Sequence, residues 1–456
     1  MQTRLPSRIT GSPSIFGQDP AVTFAKAEKK PAGVKSNSGV GISGFVAQHG
    51  LIVPDRRVLV PEPKRLITPQ RTLAPIGMAL AASGNTDADP VTHLNFLAGP
   101  ECAGRGSPSE GYDKASAYMA DLMKKYGLLP ANPGDPSGNP YYQTFSLYSR
   151  GILGDQAVGL HKGKWGHSAF ERGFFLDDTL TDADKQAIRN TVSRGKPNIK
   201  GIDLTPEGVK KAGFSSSNVQ NVMGIIPGSG PHKDEYIVMM CHLDHLGVKR
   251  GQTYWGADDN ASGSSVNASA IPGLAKMAQD GKLDRSILVI FTAAEEEGLL
   301  GASYVVRHPP SAIGDKSKIK GAFNNDMVGR LEVGRISAIP TTENKRTFLT
   351  DCFERSNELL GDRKFHVDYD LQEYESRQDG WAFTHAGIPT SFLYEGLVGG
   401  EEMPDYHKPT DTIDKIIRDN GGEKIRRLRD LTTYAVQLAC NTAFNPDGTW
   451  TLPKSV

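Results

Sequence analysis

The stretch YIVMMCHLDHLGV, residues 236–248, decides the fold. Its apolar run is rich in residues that favour β-strands, and it ends in a segment that contains His242, Asp244 and His245. A second motif, GADDNASG, follows at residues 256–263 and carries two aspartates between small residues. Histidine and carboxylate at a strand end, followed by carboxylates in a tight loop, indicate a metal site in an open α/β sheet.

Three further apolar runs repeat this strand pattern. They are SILVIFT at 286–292, KGAFNND at 320–326 and IPTSFLY at 388–394, and segments with helical periodicity separate them. Strands that alternate with helices predict an α/β fold with a mostly parallel mixed sheet and helices on both faces. Residues 148–217 do not follow this pattern, and we expect a small inserted subdomain or lid there.

The charge balance and the cysteines exclude several classes of function. Lys+Arg and Asp+Glu both number 52, so no net charge points to nucleic acid or to an acidic membrane surface. No apolar run reaches the roughly 18 residues that a membrane-spanning helix needs. The cysteines are scattered and form no C-x-x-C motif, which favours free thiols in the core over disulfides or a zinc knuckle. They are Cys102, Cys241, Cys352 and Cys440.

Acidic and histidine side chains follow the predicted strands. In open α/β sheets, ligands bind beyond the carboxyl ends of the strands. One such residue alone would usually be a solvated loop residue, but their joint occurrence predicts a single site. The residues are His242 and Asp244 after the first strand, Glu295 and Glu296 after the second, Asp326 at the end of the third and His407 beyond the fourth.

These residue types suit zinc. Imidazole nitrogen and carboxylate oxygen are zinc ligands, and no thiolate joins them. They are more than one ion needs, whereas two ions about 3.5–4 Å apart that share a carboxylate would use them. On chemistry alone, Asp258 and Asp259 both remain candidates for the shared carboxylate. An acidic helix N-terminus would explain Glu295 and Glu296 but not the rest of the set.

Five motifs together resemble a known family. In chain order they are CHLDHLG, GADDNASG, TAAEEEGLLGAS, NNDMVG and YHKPTDT. This order is similar to that of the co-catalytic dizinc exopeptidases, a family that includes bacterial secreted aminopeptidases and glutamate carboxypeptidase. The resemblance covers residues 218–443, with weaker similarity over 89–147. It implies a zinc exopeptidase-like fold and two Zn²⁺ per chain.

The resemblance implies a ligand set for the two ions. The aspartate immediately before Asn260 would bridge them, which favours Asp259 over Asp258. Asp258, His245 and Cys241 fall outside the set, and we expect His245 to be structural or solvated. The implied ligands are His242 and Asp326 for the first zinc, Glu296 and His407 for the second, and Asp259 for both.

The resemblance also implies roles for residues that bind no metal. Glu295 would be the general base, and Asp244 would fix the orientation of His242. Tyr406 occupies the position that in some members donates a hydrogen bond to the oxyanion. The chain departs from the family at RQDGWAF, residues 377–383, where a Ser and a His of the common pattern are missing. The matching residues Asp379 and Phe383 are expected to shape the substrate pocket.

These observations divide the chain. Residues 1–85 are rich in Pro, Gly, Ser and charged residues and are expected to be disordered or a linker. An apolar run at 71–83 would fit an export signal if the true start lay downstream of Met1. The remaining predicted segments are the N-terminal part of the catalytic domain at 89–147, an insert similar to a truncated protease-associated subdomain at 148–217, the catalytic core at 218–443 and a tail at 444–456.

The predicted function is that of a zinc-dependent metallo-exopeptidase with peptide substrates. An aminopeptidase is favoured, in which two zinc ions hold the substrate's free amino group and activate the attacking water. The alternatives are carboxypeptidase-type or glutaminyl-cyclase-type chemistry on the same fold, and a non-catalytic binding module. The resemblance implies a secreted or periplasmic location, and neither a nucleic-acid partner nor a membrane span is expected.

Overall fold

The computed structural model describes residues 84–149, 173–193, 203–330, 335–339, 347–369, 372–395, 403–417 and 426–432, together with residues 435 and 439. All of them belong to the unit Pro63–Val456. The predictions for residues 1–83 and for the tail at 444–456 lie outside the described residues, as do 150–172 and 194–202 of the predicted insert.

A ten-stranded sheet forms the centre of this part of the chain, and β6 and β7 form a separate hairpin. The order across the sheet is β11-β10-β12-β9-β5-β8-β4-β2-β3, with β1 beside β4. The strands are β1 (Leu129–Pro130), β2 (Tyr142–Ser149), β3 (Gly173–Phe174), β4 (Ser215–Ile226), β5 (Tyr236–His242), β6 (Gly247–Lys249), β7 (Gln252–Tyr254), β8 (Ser286–Thr292), β9 (Ile319–Asn325), β10 (Arg335–Ile339), β11 (His366–Asp368) and β12 (Thr390–Tyr394).

The middle of the sheet is parallel. β5 lies parallel to both β8 and β9, and β12 lies parallel to β9. Outside this centre, β4 runs antiparallel to β8, and β10 runs antiparallel to β12. The predicted α/β class is confirmed, and the antiparallel strands that flank the parallel centre make the sheet a mixed one.

Helices cover both faces of the sheet. The segment Ala257–Ser262, just before α5, forms a π-helical turn, and Pro272 lies inside α5. The α-helices among the described residues are α1 (Pro90–Leu97), α2 (Glu110–Lys125), α3 (Asp182–Ser193), α4 (Pro206–Lys211), α5 (Gly263–Gln279), α6 (Leu300–Arg307), α7 (Phe348–Glu358), α8 (Gly380–His385) and α9 (Ile413–Ile417).

Alternate residues of β5 pack on opposite faces of the sheet, as the strand geometry requires. Ile237, Met239 and Cys241 belong to the apolar cluster that contains α5. Val238 and Met240 belong to the cluster on the other face, which contains residues of α6 and α8. Each fully buried side chain of this kind contributes about 1.5–3 kcal/mol. The strand is therefore fixed from both sides, and its carboxyl end is a rigid support for His242.

The described part of the predicted insert packs on the rest of the unit. β3 extends the sheet beside β2. Arg307 of α6 donates hydrogen bonds to the carbonyl of Thr179, at 3.1 Å, and to the carboxylate of Asp184, at 2.8 Å. The boundaries at residues 148 and 217 stay a prediction.

Three of the four cysteines lie in the core. Cys102, Cys241 and Cys352 are free and buried, as predicted, whereas Cys440 lies outside the described residues. Among the helices that the structure describes, none combines the length and the apolar character needed to cross a membrane.

Candidate metal centre

Three parallel strands deliver side chains to one edge of the sheet. His242 ends β5, Glu295 and Glu296 follow β8, and Asp326 follows β9. Because β8 and β9 both lie parallel to β5, their carboxyl ends meet at the same edge. The loop before α5 adds Asp259, and the segment beyond β12 adds His407.

A first group of possible ligand atoms surrounds His242. Its Nε2 lies 3.3 Å from Asp259 Oδ1 and 3.2 Å from Asp326 Oδ1. The three residues are buried and offer ligand atoms within 4.8 Å of one another. On the opposite side of the ring, His242 Nδ1 lies 3.1 Å from the backbone carbonyl oxygen of Asp244. That contact fixes the ring so that Nε2 faces the two carboxylates.

A second group adjoins the first and uses the other oxygen of Asp259. His407 Nε2 lies 3.1 Å from Asp259 Oδ2 and 3.1 Å from Glu296 Oε2. His245 Nδ1 lies 2.7 Å from Glu296 Oε1 and 3.7 Å from Asp259 Oδ2. His245, Asp259 and Glu296 are all buried and again offer ligand atoms within 4.8 Å of one another. Asp259 is thus the carboxylate that both groups share.

The structure separates Asp259 from its neighbour Asp258. The carboxylate of Asp258 accepts a hydrogen bond from the backbone N–H of Gly329, at 2.8 Å, and lies 3.4 Å from Arg330 Nε. Asp258 therefore faces the segment after β9 rather than the two ligand groups. The geometry selects Asp259 as the shared carboxylate, which residue chemistry alone left open.

Asp411 orients the loop that carries Asp259. Its carboxylate accepts hydrogen bonds from the backbone N–H groups of Asp258 and Asp259, both at 3.1 Å. On the other side of the loop, Asn260 Nδ2 donates to the carbonyl of Asn325, at 3.0 Å. Asp411 is not among the site residues predicted from the sequence, although it belongs to the YHKPTDT motif.

Asp244 supports the glutamates more directly than it supports His242. Its side-chain oxygens accept hydrogen bonds from the backbone N–H groups of Glu295, at 3.2 Å, and Glu296, at 3.3 Å. Its Oδ1 lies 3.9 Å from His242 Nδ1. The expected support of His242 thus comes from the backbone carbonyl of Asp244, while the carboxylate positions the turn after β8.

Glu295 and Glu296 differ in what they face. Glu296 belongs to the second ligand group, whereas Glu295 lines the cleft above the site. Burial raises the pKa of Glu295 well above its usual range, and the nearby Glu296 and Asp326 carboxylates add to this shift against the opposing effect of His242. A carboxyl group with a raised pKa suits the transfer of a proton.

Histidines and carboxylates shift each other's pKa in opposite directions. Burial disfavours the charged form of His407, yet the Glu296 and Asp259 carboxylates raise its pKa to about 9. Burial and Glu296 would raise the pKa of Asp259, but His245, His242 and His407 together lower it below its usual range. The three histidines thus favour the ionised form of Asp259, which is the form that binds a metal ion.

A small cleft opens above the first ligand group. Its aromatic and apolar lining includes Tyr406, whose ring stacks on that of His407 with centroids 3.8 Å apart. Arg377 is also part of the lining, and its Nη2 lies 3.5 Å from the Tyr406 hydroxyl. The other lining residues outside the ligand groups are Glu295, Met327, Tyr374, Phe392, Tyr394 and Met403.

Two expectations about the pocket are corrected by this arrangement. Phe383 is fully buried in the apolar cluster under the sheet, because α8 turns it toward β9 and β12. Asp379 is also fully buried, and its carboxylate accepts a short hydrogen bond from the hydroxyl of Thr292. Neither residue lines the cleft, and Arg377 from the same stretch does.

His245 is buried in the structure. The sequence predicts a structural or solvated residue, and burial of the ring beside Glu296 and Asp259 excludes the solvated alternative. The sequence feature that could have indicated this position is a second histidine in the same strand-end segment, HLDH. The alternation of side chains along a strand could not predict where the His245 side chain points, because β5 ends at His242.

The donor set fits a divalent metal ion of the zinc type. Imidazole nitrogens and carboxylate oxygens converge in both groups, and no thiolate is among them. Cys241 lies on the other face of β5, where its Sγ is 3.5 Å from Ser264 Oγ. Neither ring nitrogen of His245 makes a hydrogen bond to the described residues, although both are buried. These buried side chains are therefore suited to hold such an ion.

Residues 221–431 match the sequence model of peptidase family M28. Over this region the chain is similar to the peptidases of family M28. The chain is 27% identical over 240 residues to "Aminopeptidase YwaD" of Bacillus subtilis, which is 52% of this chain and 48% of that protein. It is 28% identical over 260 residues to a "Probable leucine aminopeptidase" of Arthroderma otae, which is 51% of this chain and 67% of that protein. The chain thus spans about half the length of the Bacillus subtilis relative.

A solved structure supports the fold. The chain is similar to the aminopeptidase from Aneurinibacillus sp. strain AM-1, with a TM-score of 0.50 and 20% identity over 81% of this chain and 96% of that chain. The resemblance to the zinc exopeptidases that the sequence motifs predict is confirmed, both for the family and for the fold.

Proposed function

We propose that this chain is a zinc-dependent exopeptidase that removes N-terminal residues from peptides and binds two zinc ions. One observation carries the proposal: Asp259 offers one oxygen to each of two adjoining ligand groups, while Glu295 faces the cleft above them. His242 and Asp326 would hold the first ion, and Glu296 and His407 the second. Such an arrangement suits hydrolysis with a positioned base.

When bound, the two ions would polarise the scissile carbonyl and acidify the attacking water. Glu295 would take the proton of that water and pass it to the leaving amine. Its backbone N–H is held by the Asp244 carboxylate, so the side chain keeps its place at the cleft. Tyr406 lines the same cleft, and its hydroxyl would donate a hydrogen bond to the oxyanion.

The family and the relatives support this activity. The M28 match includes the complete predicted ligand set from His242 to His407. Both curated relatives carry names of aminopeptidases. A non-catalytic binding module would have no use for a complete ligand set with a glutamate positioned beside it.

An assay panel with metal analysis tests the proposal. Aminoacyl-anilides and acyl-dipeptides are offered to the same preparation, with and without a chelator, and its zinc content is measured. We expect about two zinc ions per chain, chelator-sensitive hydrolysis of the anilides, and slower reaction of the acyl-dipeptides. One zinc per chain with cyclisation of N-terminal glutamine would instead support the glutaminyl-cyclase alternative. No hydrolysis by the zinc-loaded protein would contradict the proposal.

The position of Arg377 favours a second candidate function, in which the substrate carries a carboxylate. The carboxypeptidase alternative requires a cation in the cleft, and Arg377 supplies one. Its guanidinium lies 4.9 Å from the centre of the Tyr374 ring and 5.7 Å from that of Tyr406. A guanidinium placed over two aromatic rings presents a planar set of donors that suits a carboxylate.

Arg377→Gln is expected to separate these substrate classes. Loss of a charge-assisted hydrogen bond costs about 1.5–3 kcal/mol, so kcat/KM should fall by roughly 10–100-fold for peptides with a carboxylate near the scissile bond. Neutral aminoacyl-anilides should change by less than about twofold. Steady-state kinetics on matched dipeptides and dipeptide amides measure the difference. Arg355→Gln on α7, outside the cleft, is the control, and an equal loss on both substrates would show that Arg377 only holds the tyrosines.

The segment boundaries and the location belong to this proposal as well. We place the catalytic core at residues 218–443 with its N-terminal part at 89–147, and the insert at 148–217. A secreted or periplasmic location follows from the family resemblance. N-terminal sequencing of the mature protein tests it, and an intact Met1 on protein recovered from the cytoplasm would contradict it.

A further inference from the structure

His245 is held rigidly beside the second ligand group. Its backbone N–H donates to the carbonyl of Arg105, at 3.1 Å. The fully buried guanidinium of Arg105 in turn donates to the carbonyls of Leu243, at 2.9 Å, and Gly256, at 2.8 Å. A side chain at Gly256 would overlap the imidazole of His245, so the ring packs directly against this glycine. The backbone at Gly256 therefore confines the ring on one side.

The His245 ring approaches the Glu296 carboxylate closely. Nδ1 lies 2.7 Å from Glu296 Oε1, but the contact lacks the angles of a hydrogen bond. The other ring nitrogen is buried without a hydrogen bond to the described residues. Two ligand atoms on one metal ion show this geometry, because each points at the ion and not at the other atom.

The distances within the second group fit one ion. Two atoms that each lie about 2.1 Å from a zinc ion can be at most about 4.2 Å apart. His245 Nδ1 lies 2.7 Å from Glu296 Oε1 and 3.7 Å from Asp259 Oδ2. His407 Nε2 lies 3.1 Å from oxygens of the same two residues. All four separations are below the limit, so each imidazole lies close enough to both carboxylates to share an ion with them.

We propose that His245 is a protein ligand of the second metal ion, through Nδ1, in addition to Asp259, Glu296 and His407. This inference rests on the two-metal site proposed above and extends its ligand set. The second position then has four protein ligands with two imidazoles, whereas the first has His242, Asp259 and Asp326. Four protein ligands are typical of tightly held zinc, and three leave an open place for water or substrate.

With His245 as a ligand, the two metal positions differ in their number of protein ligands. The second ion is held by one more imidazole than the first, and it stays bound when a chelator has removed the first. The first position keeps the exchangeable ion next to Glu295 and the cleft. A His245 that only orients Glu296 by contact would leave both the number of imidazole ligands and this order of release unchanged.

X-ray absorption of the wild-type, zinc-loaded protein tests the ligand count without a variant. Three imidazoles shared by two ions give about 1.5 imidazole nitrogens per zinc, against about 1.0 without His245. A value of about 1.5 at two zinc ions per chain supports the proposal, and a value of about 1.0 overturns it. Two zinc ions per chain with about 1.0 imidazole nitrogen each would contradict only the role of His245. Absence of zinc binding would contradict the proposed function as well.

His245→Gln provides the second measurement. We expect the imidazole count to fall to about 1.0 per zinc and the dissociation constant of the tighter zinc step to rise by about tenfold or more. Chelator competition measures the two steps, and circular dichroism confirms that the variant is folded. His232→Gln, on a half-buried histidine paired with Asp284, is the matched control and should change neither value. Unchanged zinc affinities in folded His245→Gln would overturn the proposal.

Discussion

Glu295→Gln is expected to lower kcat for aminoacyl-anilides by about 10²-fold or more while the protein keeps its metal. The amide has the size of the carboxylate but cannot accept the proton of the attacking water. Because Glu295 lines the cleft and Glu296 belongs to the ligand group, the substitution leaves the metal ligands in place. Steady-state kinetics and metal analysis of the same sample measure the two effects separately.

The adjacent glutamate provides the control for this prediction. Glu297→Gln changes a carboxylate in the same acidic run, but Glu297 belongs to neither ligand group and does not line the cleft. We expect its kcat to stay within a few-fold of wild type. Turnover near the wild-type value in zinc-loaded Glu295→Gln would show that another group accepts the proton.

Asp259→Ala is expected to weaken both metal positions and to abolish hydrolysis. The carboxylate offers one oxygen to each group, so its removal takes a ligand from both. It also removes the negative charge that lies between His242 and His407. We expect zinc affinity to fall by more than about 100-fold, above the range for loss of an outer-shell partner. Zinc content after dialysis and isothermal titration measure the loss.

Asp258→Asn and Asp259→Asn form a matched pair that separates charge from folding. Both keep the side-chain volume, and the residues are neighbours in the chain. Asp258 contacts Gly329 and Arg330 instead of the ligand groups, so its variant should retain two zinc ions. Asp259→Asn should lose metal like the alanine variant. Equal zinc content in the two asparagine variants would contradict the assignment of the shared carboxylate.

The sequence predicts the fold well where its hydrophobic pattern is compatible with only one kind of packing. The apolar run of β5 has to be buried on both faces, and alternate residues enter two different clusters. Parallel neighbours then bring the ends of β8 and β9 to the same edge, so His242, Glu296 and Asp326 meet. Strand order and the exact sheet edges depend on long-range pairing, which the local pattern does not contain.

The rest of the site could not be derived from the sequence pattern. His245 lies beyond the end of β5, where alternation no longer determines direction, and its orientation depends on contacts with Arg105 and Gly256. Phe383 matches a pocket residue in type, but the position of α8 buries it in the core. Asp411 acts on a backbone far away in the chain, and no local signal marks such a contact.

The contact of Asp411 with the aspartate loop has a consequence for synthesis of the protein. The hydrogen bond from Asp258 N–H to the Asp411 carboxylate joins residues 153 positions apart. At about 5–20 residues per second, a ribosome needs roughly 8–30 s to add this length of chain. During that interval the loop exists without the carboxylate that orients it and without His407. A growing chain therefore has no complete set of the proposed metal ligands until the late segment has been made.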